Sequence, residues 1–316
     1  MKLAFILDPL ESLKAHKDSS VAMMRAAARR GHEIWTIRRD DLSCRDGRVT
    51  ARALQIQPTH DDEAWFAELE AANVALTAFD AVLMRQDPPF DFEYVTATWL
   101  LERAEAEGAR IFNRPRAIRD HSEKVAIAEF PQFAPTTLIA RNPRDIHAFI
   151  DEFQDTILKP LDGMGGSSIF RVRHDDPNRN VIVETLTQLG ARSIMAQCYL
   201  PAITEGDKRI LLIGGVPVPH CLARIPKAGE SRGNLAAGGT GVARPLSGRD
   251  REIAETLAPL LWSRGLLIVG LDVIGDYLTE INVTSPTCFV EICQQTGFDV
   301  AGMLVDALER ECKPIS

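Results

Sequence analysis

Strand-like apolar runs alternate with helical stretches through the first third of the chain, and this order constrains the fold more than any other feature. Residues 2–7 form an apolar run that ends at Asp8, residues 18–30 carry helix-forming side chains, and residues 33–38 have the pattern of a second strand. A crossover helix is the usual connection between parallel neighbouring strands, so this order favours a parallel sheet. The sequence therefore predicts an α/β lobe, which we place at residues 1–120.

The same alternation continues to the end of this lobe. Residues 79–85 are predicted to form a strand, residues 92–107 a helix closed by Gly108, and residues 109–113 another strand. Asp46-Gly47 is a typical turn dipeptide, so a hairpin is expected there.

The pattern changes after residue 120. Short strand-like runs enclose helical segments near 143–153 and 178–188, which predicts a compact antiparallel α+β module over residues 121–200.

The last part, residues 201–316, opens with a predicted hairpin that turns at Gly214-Gly215. A polar, glycine-rich stretch follows from Ile225 to Gly241, and a segment of this length without periodicity is expected to be a functional lid or disordered. A helix near 249–263 and an apolar strand come next. Pro259 predicts a kink or an early end of that helix.

Composition limits the class of protein and its partners. The chain has 316 residues, of which 45% are hydrophobic and 25% charged, so it can bury a large core. A formal net charge of −8 argues against nucleic acid or an anionic membrane as a partner. No apolar run has the length of a signal peptide or a membrane span, which predicts a cytoplasmic protein. The six cysteines form no CxxC pair, and we interpret them as reduced thiols.

Lys159 and the glycine-rich turn that follows it form the sharpest local signal. Residues 162–168 (DGMGGSS) lie between two predicted strands, and their glycines allow backbone N–H groups to converge on an anion beside the Lys159 charge. No Gly-Lys-Ser/Thr follows, so the turn is not a Walker A loop. The alternative for this segment alone is a glycine-rich hairpin with a solvated lysine. Lys124, at the start of a predicted helix, could bracket a polyphosphate from the other side, although alone it is typical of a surface lysine.

Asp272, Glu280 and Asn282 offer oxygen ligands of the kind that Mg²⁺ prefers. Asp272 lies inside an apolar strand, where an unpaired carboxylate is costly, and Glu280 and Asn282 share one face of the next strand. A two-residue turn at Gly275-Asp276 in a regular ladder would place Asp272 opposite Thr279, on the other side from Glu280. We therefore expect a three-residue connection or a bulge. The alternative is a pair of structural acids near a hairpin.

Arginines supply the remaining candidate chemistry. Arg209 and Arg224 lie on adjacent predicted strands, and Arg232 lies in the glycine-rich stretch. Guanidinium groups suit substrate carboxylates and the charge of a transferring phosphoryl group. Arg85 stands at the carboxyl end of a predicted strand, where open α/β sheets bind ligands. Taken singly, each arginine is more typical of a solvated surface residue.

Taken in order, these segments resemble the ATP-grasp superfamily, and within it the bacterial glutathione synthetases. The resemblance extends over almost the whole chain and rests on MRQDPPFD, NRPRAIRDHSEK, ILKPLDGMGGSSIFRV, residues 197–200, LARIPKAGESRGNLAAGGTG and VGLDVIGDYLTEINVTSPT. It implies an ATP-grasp fold for the part of the chain that follows the N-terminal lobe. It also implies an ATP- and Mg²⁺-dependent ligase that joins γ-glutamylcysteine to glycine through an acyl phosphate. One departure is Gln86, where the family carries lysine, at the edge of the dipeptide pocket.

The resemblance implies a role for each candidate residue. The residues implied for ATP are Lys124, Lys159, Gly163, Gly165, Gly166, Ser167, Gln197, Tyr199, Leu200 and Asp207. Those implied for two Mg²⁺ ions, with Mn²⁺ as a substitute, are Asp272, Glu280 and Asn282. Those expected to bind substrate are Arg85, Arg224, Arg232 and Asn234, and those expected to act in catalysis are Arg209 and Arg232. The family also implies a homotetramer built from the N-terminal lobes.

Two other functions stay open on the residues themselves. One is a different ATP-grasp ligase for an amino acid or another peptide, because only the substrate-side arginines and Asn234 bear on that choice. The other is a nucleotide-binding regulatory protein without catalysis. The complete set of lysines and oxygen ligands argues against it, since a sensor need not keep every metal ligand.

Overall fold

The computed structural model describes residues 1–230, 232–235 and 238–313. The strands of its first sheet are β1 (Lys2–Leu7), β2 (Glu33–Arg45), β3 (Arg48–Pro58), β4 (Phe66–Ala75), β5 (Ala81–Met84) and β6 (Ile111–Phe112). They lie in the order β4-β3-β2-β1-β5-β6. β1 pairs in parallel with β2 and β5, and β5 pairs in parallel with β6. The predicted parallel sheet is therefore confirmed for these four strands, while β3 and β4 extend it as antiparallel strands.

The helices of this lobe are α1 (Ser19–Arg29), α2 (Phe92–Ala106) and α3 (Pro115–Asp120). Asp18 caps α1, because its Oδ1 accepts the N–H groups of Ser20 and Val21 at 2.7 and 2.9 Å. The β2–β3 hairpin turns at Asp46-Gly47 as predicted, with Arg45 opposite Arg48.

The middle of the chain forms a four-stranded antiparallel sheet, as predicted. Its elements are β7 (Thr137–Ala140), α4 (Pro143–Phe153), β8 (Asp155–Pro160), β9 (Phe170–Arg173), α5 (Arg179–Thr187) and β10 (Ile194–Cys198). The strand order is β7-β10-β8-β9. Both helices pack on one face through a small core that includes Ile146, Ile150, Leu158 and Val183, so the opposite face is left for a ligand.

The third sheet lies against the first lobe. Its strands are β11 (Asp207–Ile213), β12 (Val216–Ile225), β13 (Thr240–Pro245), β14 (Ile268–Ile274) and β15 (Tyr277–Asn282), in the order β13-β12-β11-β14-β15. The β11–β12 hairpin turns at Gly214-Gly215 as predicted. Its helices are α6 (Gly248–Ser263), α7 (Phe289–Thr296) and α8 (Val300–Cys312), and the sequence patterns did not indicate α7 and α8.

The predicted early end of the helix at Pro259 is wrong, because α6 continues to Ser263. Proline removes one N–H and leaves the carbonyl of Glu255 without its helical donor. Pro259 and Glu255 both lie on the exposed side of α6, where water can satisfy that carbonyl. The helix therefore tolerates the proline.

Asn113 joins the first lobe to the third sheet. Its side-chain Nδ2 donates to the carbonyls of Ile268 and Val283 at 2.7 and 2.8 Å, and its Oδ1 accepts the N–H of Ile268 at 2.8 Å. The buried amide thus fixes the start of β14 and the segment after β15 against the edge of the first sheet. None of the helices in the described part of the chain combines the length and the apolar character of a membrane span.

Candidate active site

A cleft lies between the four-stranded sheet and the third sheet. Its lining combines the apolar side chains Ile157, Ile169, Leu200, Ile203 and Ile274 with a group of charged side chains. A ligand that has both a flat apolar part and an anionic part matches such a lining. Ile157 could have been anticipated from the sequence, because it lies two residues before Lys159 on the same strand and therefore shares its face.

Most of the predicted site residues line this cleft. Those that do are Lys124, Lys159, Gly163, Gly165, Gly166, Ser167, Gln197, Tyr199, Leu200, Asp207, Arg232, Asn234, Asp272 and Glu280. Arg209 and Arg224 lie behind Asp272, Asn282 lies beyond Glu280 on β15, and Arg85 lies at the end of β5. The structure thus brings Lys124 and Lys159 into one cleft with Asp272 and Glu280.

Lys124 and Lys159 approach Glu280 from two different segments. Their Nζ atoms lie 3.6 and 3.4 Å from Oε1 of Glu280, and Nζ of Lys124 also donates to the carbonyl of Gly163 at 2.7 Å. Burial lowers the pKa of Lys159, and the attraction of Glu280 only partly offsets this. Burial also opposes ionisation of Glu280, but the two lysines hold its pKa below the ordinary value. The site thus concentrates two cations beside one anion with little solvent.

The β14–β15 hairpin places Asp272 directly opposite Glu280. The turn has two residues, since Ile274 pairs with Tyr277, and a bulge between Asp272 and Val273 leaves Thr279 as the extra residue. The predicted bulge is confirmed, and the alternative of a three-residue connection is wrong. Thr279 Oγ1 donates to the carbonyl of Asp272 at 3.1 Å, which holds the bulge in place.

Two arginine side chains contact the carboxylate of Asp272. Its Oδ1 accepts from Nε of Arg209 at 2.6 Å, and its Oδ2 lies 3.0 Å from Nη2 of Arg224. Arg224 also donates to Oδ2 of Asp207 at 2.6 Å. All four side chains are buried. Although burial opposes ionisation, the two arginines hold the pKa of Asp272 far below its ordinary value, so this carboxylate stays charged.

Asp207 has one oxygen that the protein leaves unpaired. Oδ1 is buried and has no hydrogen-bond partner within the described part of the chain. Burial raises the pKa of Asp207 despite the attraction of Arg224. A buried acceptor that lines a cleft without a partner is suited to accept a hydrogen bond from a bound ligand.

Asn282 lies two residues after Glu280 on β15 and offers a further oxygen ligand for a cation. Its Nδ2 donates to the carbonyl of Gly270 at 3.1 Å, so the amide oxygen Oδ1 points away from that contact. Among the described residues, no three His, Cys, Asp or Glu side chains are grouped as a metal site. A cation here would therefore depend on the two carboxylates Asp272 and Glu280, the amide oxygen of Asn282 and ligand atoms. This hard-oxygen donor set is of the type that Mg²⁺ prefers.

Two loops cover the cleft and touch each other at Gly166. This glycine has φ +81°, and a Cβ built there would lie 2.7 Å from Oδ1 of Asn234 and 3.4 Å from Cδ of Arg232. A side chain at this position would therefore strain the backbone and force Asn234 to move. Ser231, Ala236 and Ala237 of the predicted lid (225–241) lie outside the described residues. Arg232 forms an ion pair with Glu230 at 3.1 Å.

Arg85, which follows β5, is buried and only partly satisfied. Its Nε donates to Oγ of Ser20 at 3.2 Å and its Nη2 to the carbonyl of Pro286 at 2.9 Å, whereas Nη1 has no partner within the described residues. Burial lowers the pKa of Arg85, which marks an unfavourable environment for its charge unless an anion joins it.

Glu123 is a half-buried acid beside the site that the sequence did not single out. Its Oε1 accepts the N–H groups of Val283 and Thr284 at 2.9 and 3.1 Å and the hydroxyl of Thr284 at 2.9 Å. Its own carbonyl accepts the N–H of Ile281 at 2.8 Å. Burial raises the pKa of Glu123. The residue next to Lys124 thus ties that lysine to the segment that carries Asn282, and only its position beside Lys124 could have suggested this.

Comparison with known families covers nearly the whole chain. Residues 1–119 match the prokaryotic glutathione synthetase N-terminal domain, and residues 123–297 match the prokaryotic glutathione synthetase ATP-grasp domain. Among curated relatives, the glutathione synthetase of Ralstonia nicotianae is 60% identical over 310 residues, which is 98% of this chain and 96% of that protein. The glutathione synthetase of Nitrosomonas europaea is 60% identical over 313 residues and 98% of both chains.

Solved structures share the fold at low sequence identity. The crystal structure of D-cycloserine synthetase DcsG has a TM-score of 0.68 at 16% identity and covers 99% of this chain and 100% of that one. The ATP-grasp ligase PsnB in complex with a precursor peptide and AMPPNP has a TM-score of 0.64 at 17% identity, with 99% of each chain covered. These likenesses establish the ATP-grasp fold.

Proposed function

Because the chain belongs to the prokaryotic glutathione synthetase family, we propose that it joins γ-glutamylcysteine to glycine with ATP, giving glutathione, ADP and phosphate. The observation that carries this conclusion is the identity of 60% over 98% of the chain to proteins with that activity in their name. The convergence of two lysines and two carboxylates in one cleft supports the ATP chemistry independently.

The reaction needs activation of a carboxylate. A carboxylate is a poor acyl donor toward an amine, so an oxygen of the γ-glutamylcysteine carboxylate first attacks the terminal phosphorus of ATP and ADP leaves. The glycine amine then attacks the acyl carbon, loses a proton, and phosphate leaves. Both steps concentrate negative charge, which buried cations can offset.

Lys124 and Lys159 are proposed to hold the phosphates of ATP. The approach of both Nζ atoms to one Glu280 oxygen, with Nζ of Lys124 also held by the Gly163 carbonyl, supports this role. A triphosphate that enters the cleft would meet both ammonium groups. Gly163, Gly165, Gly166 and Ser167 would cover it from the glycine-rich turn.

Asp272, Glu280 and Asn282 are proposed to hold two Mg²⁺ ions. Their oxygen atoms and the double negative charge suit hard divalent cations, and Mn²⁺, which accepts the same ligands, is expected to substitute. When bound, the ions would neutralise phosphate charge and orient the transferring group. Arg209 and Arg224, which contact Asp272, would keep this carboxylate ionised.

The remaining nucleotide contacts are proposed for residues that line the cleft. Gln197, Tyr199 and Leu200 would face the adenine, and the unpaired Oδ1 of Asp207 would accept a ribose hydroxyl. Arg85 is proposed to bind the peptide substrate, and its Nη1, which has no partner within the described residues, supports this role. We propose that the peptide substrate is also bound by Arg224, Arg232 and Asn234.

Arg209 is proposed to stabilise both the transferring phosphoryl group and the later tetrahedral intermediate. Asp272 engages its Nε and Nη2 atoms, which leaves Nη1 for a substrate oxygen. Arg232 is proposed to add a second guanidinium from the lid when the lid covers the cleft. A closed lid would also protect the acyl phosphate from water.

Membership of the family also leads to proposals about properties outside the active site. We propose three parts, an N-terminal lobe over 1–120, a small ATP-grasp subdomain over 121–200 and a C-terminal subdomain over 201–316. We also propose a homotetramer formed by the N-terminal lobes, and a cytoplasmic location, in line with small-molecule substrates rather than nucleic acid or membrane as partners.

Release of ADP from the purified protein tests the proposed function. ADP and glutathione should form together only when ATP, Mg²⁺, γ-glutamylcysteine and glycine are all present. ADP release with another amino acid or peptide, and none with γ-glutamylcysteine plus glycine, would indicate a different ligase. Tight ATP binding without ADP release under every condition would indicate a regulatory protein.

A further inference from the structure

Gln197 lies in the cleft with its side-chain amide anchored from behind. It is 4% exposed and belongs to β10, where it faces Ile157 on one side and Thr137 of β7 on the other. Its Nε2 lies 3.0 Å from Oγ1 of Thr137. Gln197 lines the cleft and Thr137 does not, so this contact reaches the amide from outside the ligand space.

The protons available at Thr137 determine which way the amide points. Oγ1 of Thr137 lies 2.8 Å from the carbonyl oxygen of Pro135, which can only accept. The single hydroxyl proton is therefore committed to that carbonyl, and Oγ1 can only accept from Gln197. The amide group at Thr137 must then be NH₂. Because Gln197 lines the cleft, this leaves its Oε1 for the cleft, and no side chain or backbone group of the described residues donates a hydrogen bond to that oxygen.

We propose that Thr137 is a positioning residue that sets the base preference of the nucleotide site. This inference rests on the proposed function, in which Gln197 faces the purine. A fixed acceptor at Oε1 favours a base that carries an amino group at position 6. A base with an oxygen there would bring two acceptors together, and the residue paired with Gln197 on β8, Ile157, is apolar and offers no donor to either of them. Leaving both unpaired is unfavourable by an amount that corresponds to roughly 10- to 100-fold in affinity.

Removal of the threonine hydroxyl should release this constraint. In Thr137→Val, nothing holds the NH₂ group of Gln197 away from the cleft, and rotation of the amide by half a turn exchanges its nitrogen and oxygen. The rotated amide offers a donor that suits a 6-oxo base. The variant should thus keep its fold and its other nucleotide contacts, but it should lose its preference for a 6-amino base over a 6-oxo base.

The test compares ATP with ITP, which differ in the group at position 6. We would measure kcat/KM for ligation and Kd by calorimetry with each nucleotide, in the wild type, Thr137→Val and Thr137→Ser. Thr136→Val is the matched control, because Thr136 is the exposed neighbour and its side chain makes no hydrogen bond to Gln197 within the described part of the chain. The wild type, Thr137→Ser and Thr136→Val should prefer ATP by roughly 10- to 100-fold, and Thr137→Val should lose most of that preference.

The role of Thr137 would be overturned if the ratio of kcat/KM with ATP to kcat/KM with ITP were unchanged in Thr137→Val. An equal loss of kcat/KM with both nucleotides would overturn it as well. A similar loss of preference in Thr136→Val would do the same, since it would point to a general disturbance of β7. Absence of ligation by the wild type would contradict the proposed function alone. The ratio of the two dissociation constants would still decide the inference in that case.

Discussion

Lys124 and Lys159 come from separate segments, yet their ammonium nitrogens lie 3.6 and 3.4 Å from the same oxygen of Glu280. Two cations that share one anion in a buried site leave an excess of positive charge. That excess favours a polyanionic ligand, and it is the feature of the cleft that most directly supports a triphosphate.

Replacement of either lysine should weaken the reaction strongly. Lys124→Met and Lys159→Met are each expected to lower kcat/KM for ATP by about 10²-fold or more, because each removes a cation aimed at the developing charge. Steady-state ADP release measures this. Lys14→Met, at an exposed lysine of the first lobe, is the control and should match the wild type.

The double variant tests whether the lysines act together. Because both contact Glu280, their effects should not add, and a double-mutant cycle should give a coupling energy of about 0.5–3 kcal/mol. Strict additivity would indicate that the two lysines serve separate ligands, contrary to the shared phosphate site.

Glu123 should be required for stability. Glu123→Ala leaves two buried backbone N–H groups and the Thr284 hydroxyl without their acceptor, which should lower the free energy of unfolding by about 2–4 kcal/mol. Urea unfolding measures this change. Glu123→Gln keeps an acceptor oxygen of the same reach and should lose less than half as much. Equal losses in both variants would mean that the charge, rather than the hydrogen bonds, matters.

The fold was largely predictable because its apolar periodicity is regular where both faces of a sheet are covered. β1 and β5 are continuous buried runs, which is typical of parallel strands between helices. β4 escaped prediction because most of its side chains are exposed, so it lacks the apolar run of a buried strand. α7 has only eight residues, which is too short for a helical period to stand out from the segment before it.

The site was predictable only in part, for a different reason. Spacing along a strand reveals which side chains share a face, so Glu280 and Asn282 could be paired in advance. The bulge at Thr279 could be anticipated only because Asp272 had to reach Glu280. Long-range contacts such as that of Glu123 with Thr284 leave no local pattern, since they depend on how separate segments pack.

Cleavage of the lid should separate binding from ligation. A protease site introduced at Gly229-Glu230, which is exposed, would allow the loop to be cut after folding. Ligation should be lost because the acyl phosphate would meet water, whereas the Kd for ATP should change only a few-fold. The same site placed in the exposed segment 60–63 is the control and should leave both intact. Joint loss of ATP binding and ligation after cleavage at 229 would contradict a lid role.

The contact between the two loops at Gly166 can be tested with a pair of matched glycines. Gly166 and Gly229 have nearly the same backbone conformation, φ +81° and +82°, but a Cβ at Gly166 would lie 2.7 Å from Asn234 whereas one at Gly229 would meet nothing within 4 Å. Both alanine variants carry a similar backbone cost of about 1–2 kcal/mol. Only Gly166→Ala should also keep the loops apart, so its kcat should fall at least ten-fold below that of Gly229→Ala. Similar kcat values in the two variants would mean that the loops need not meet during ligation.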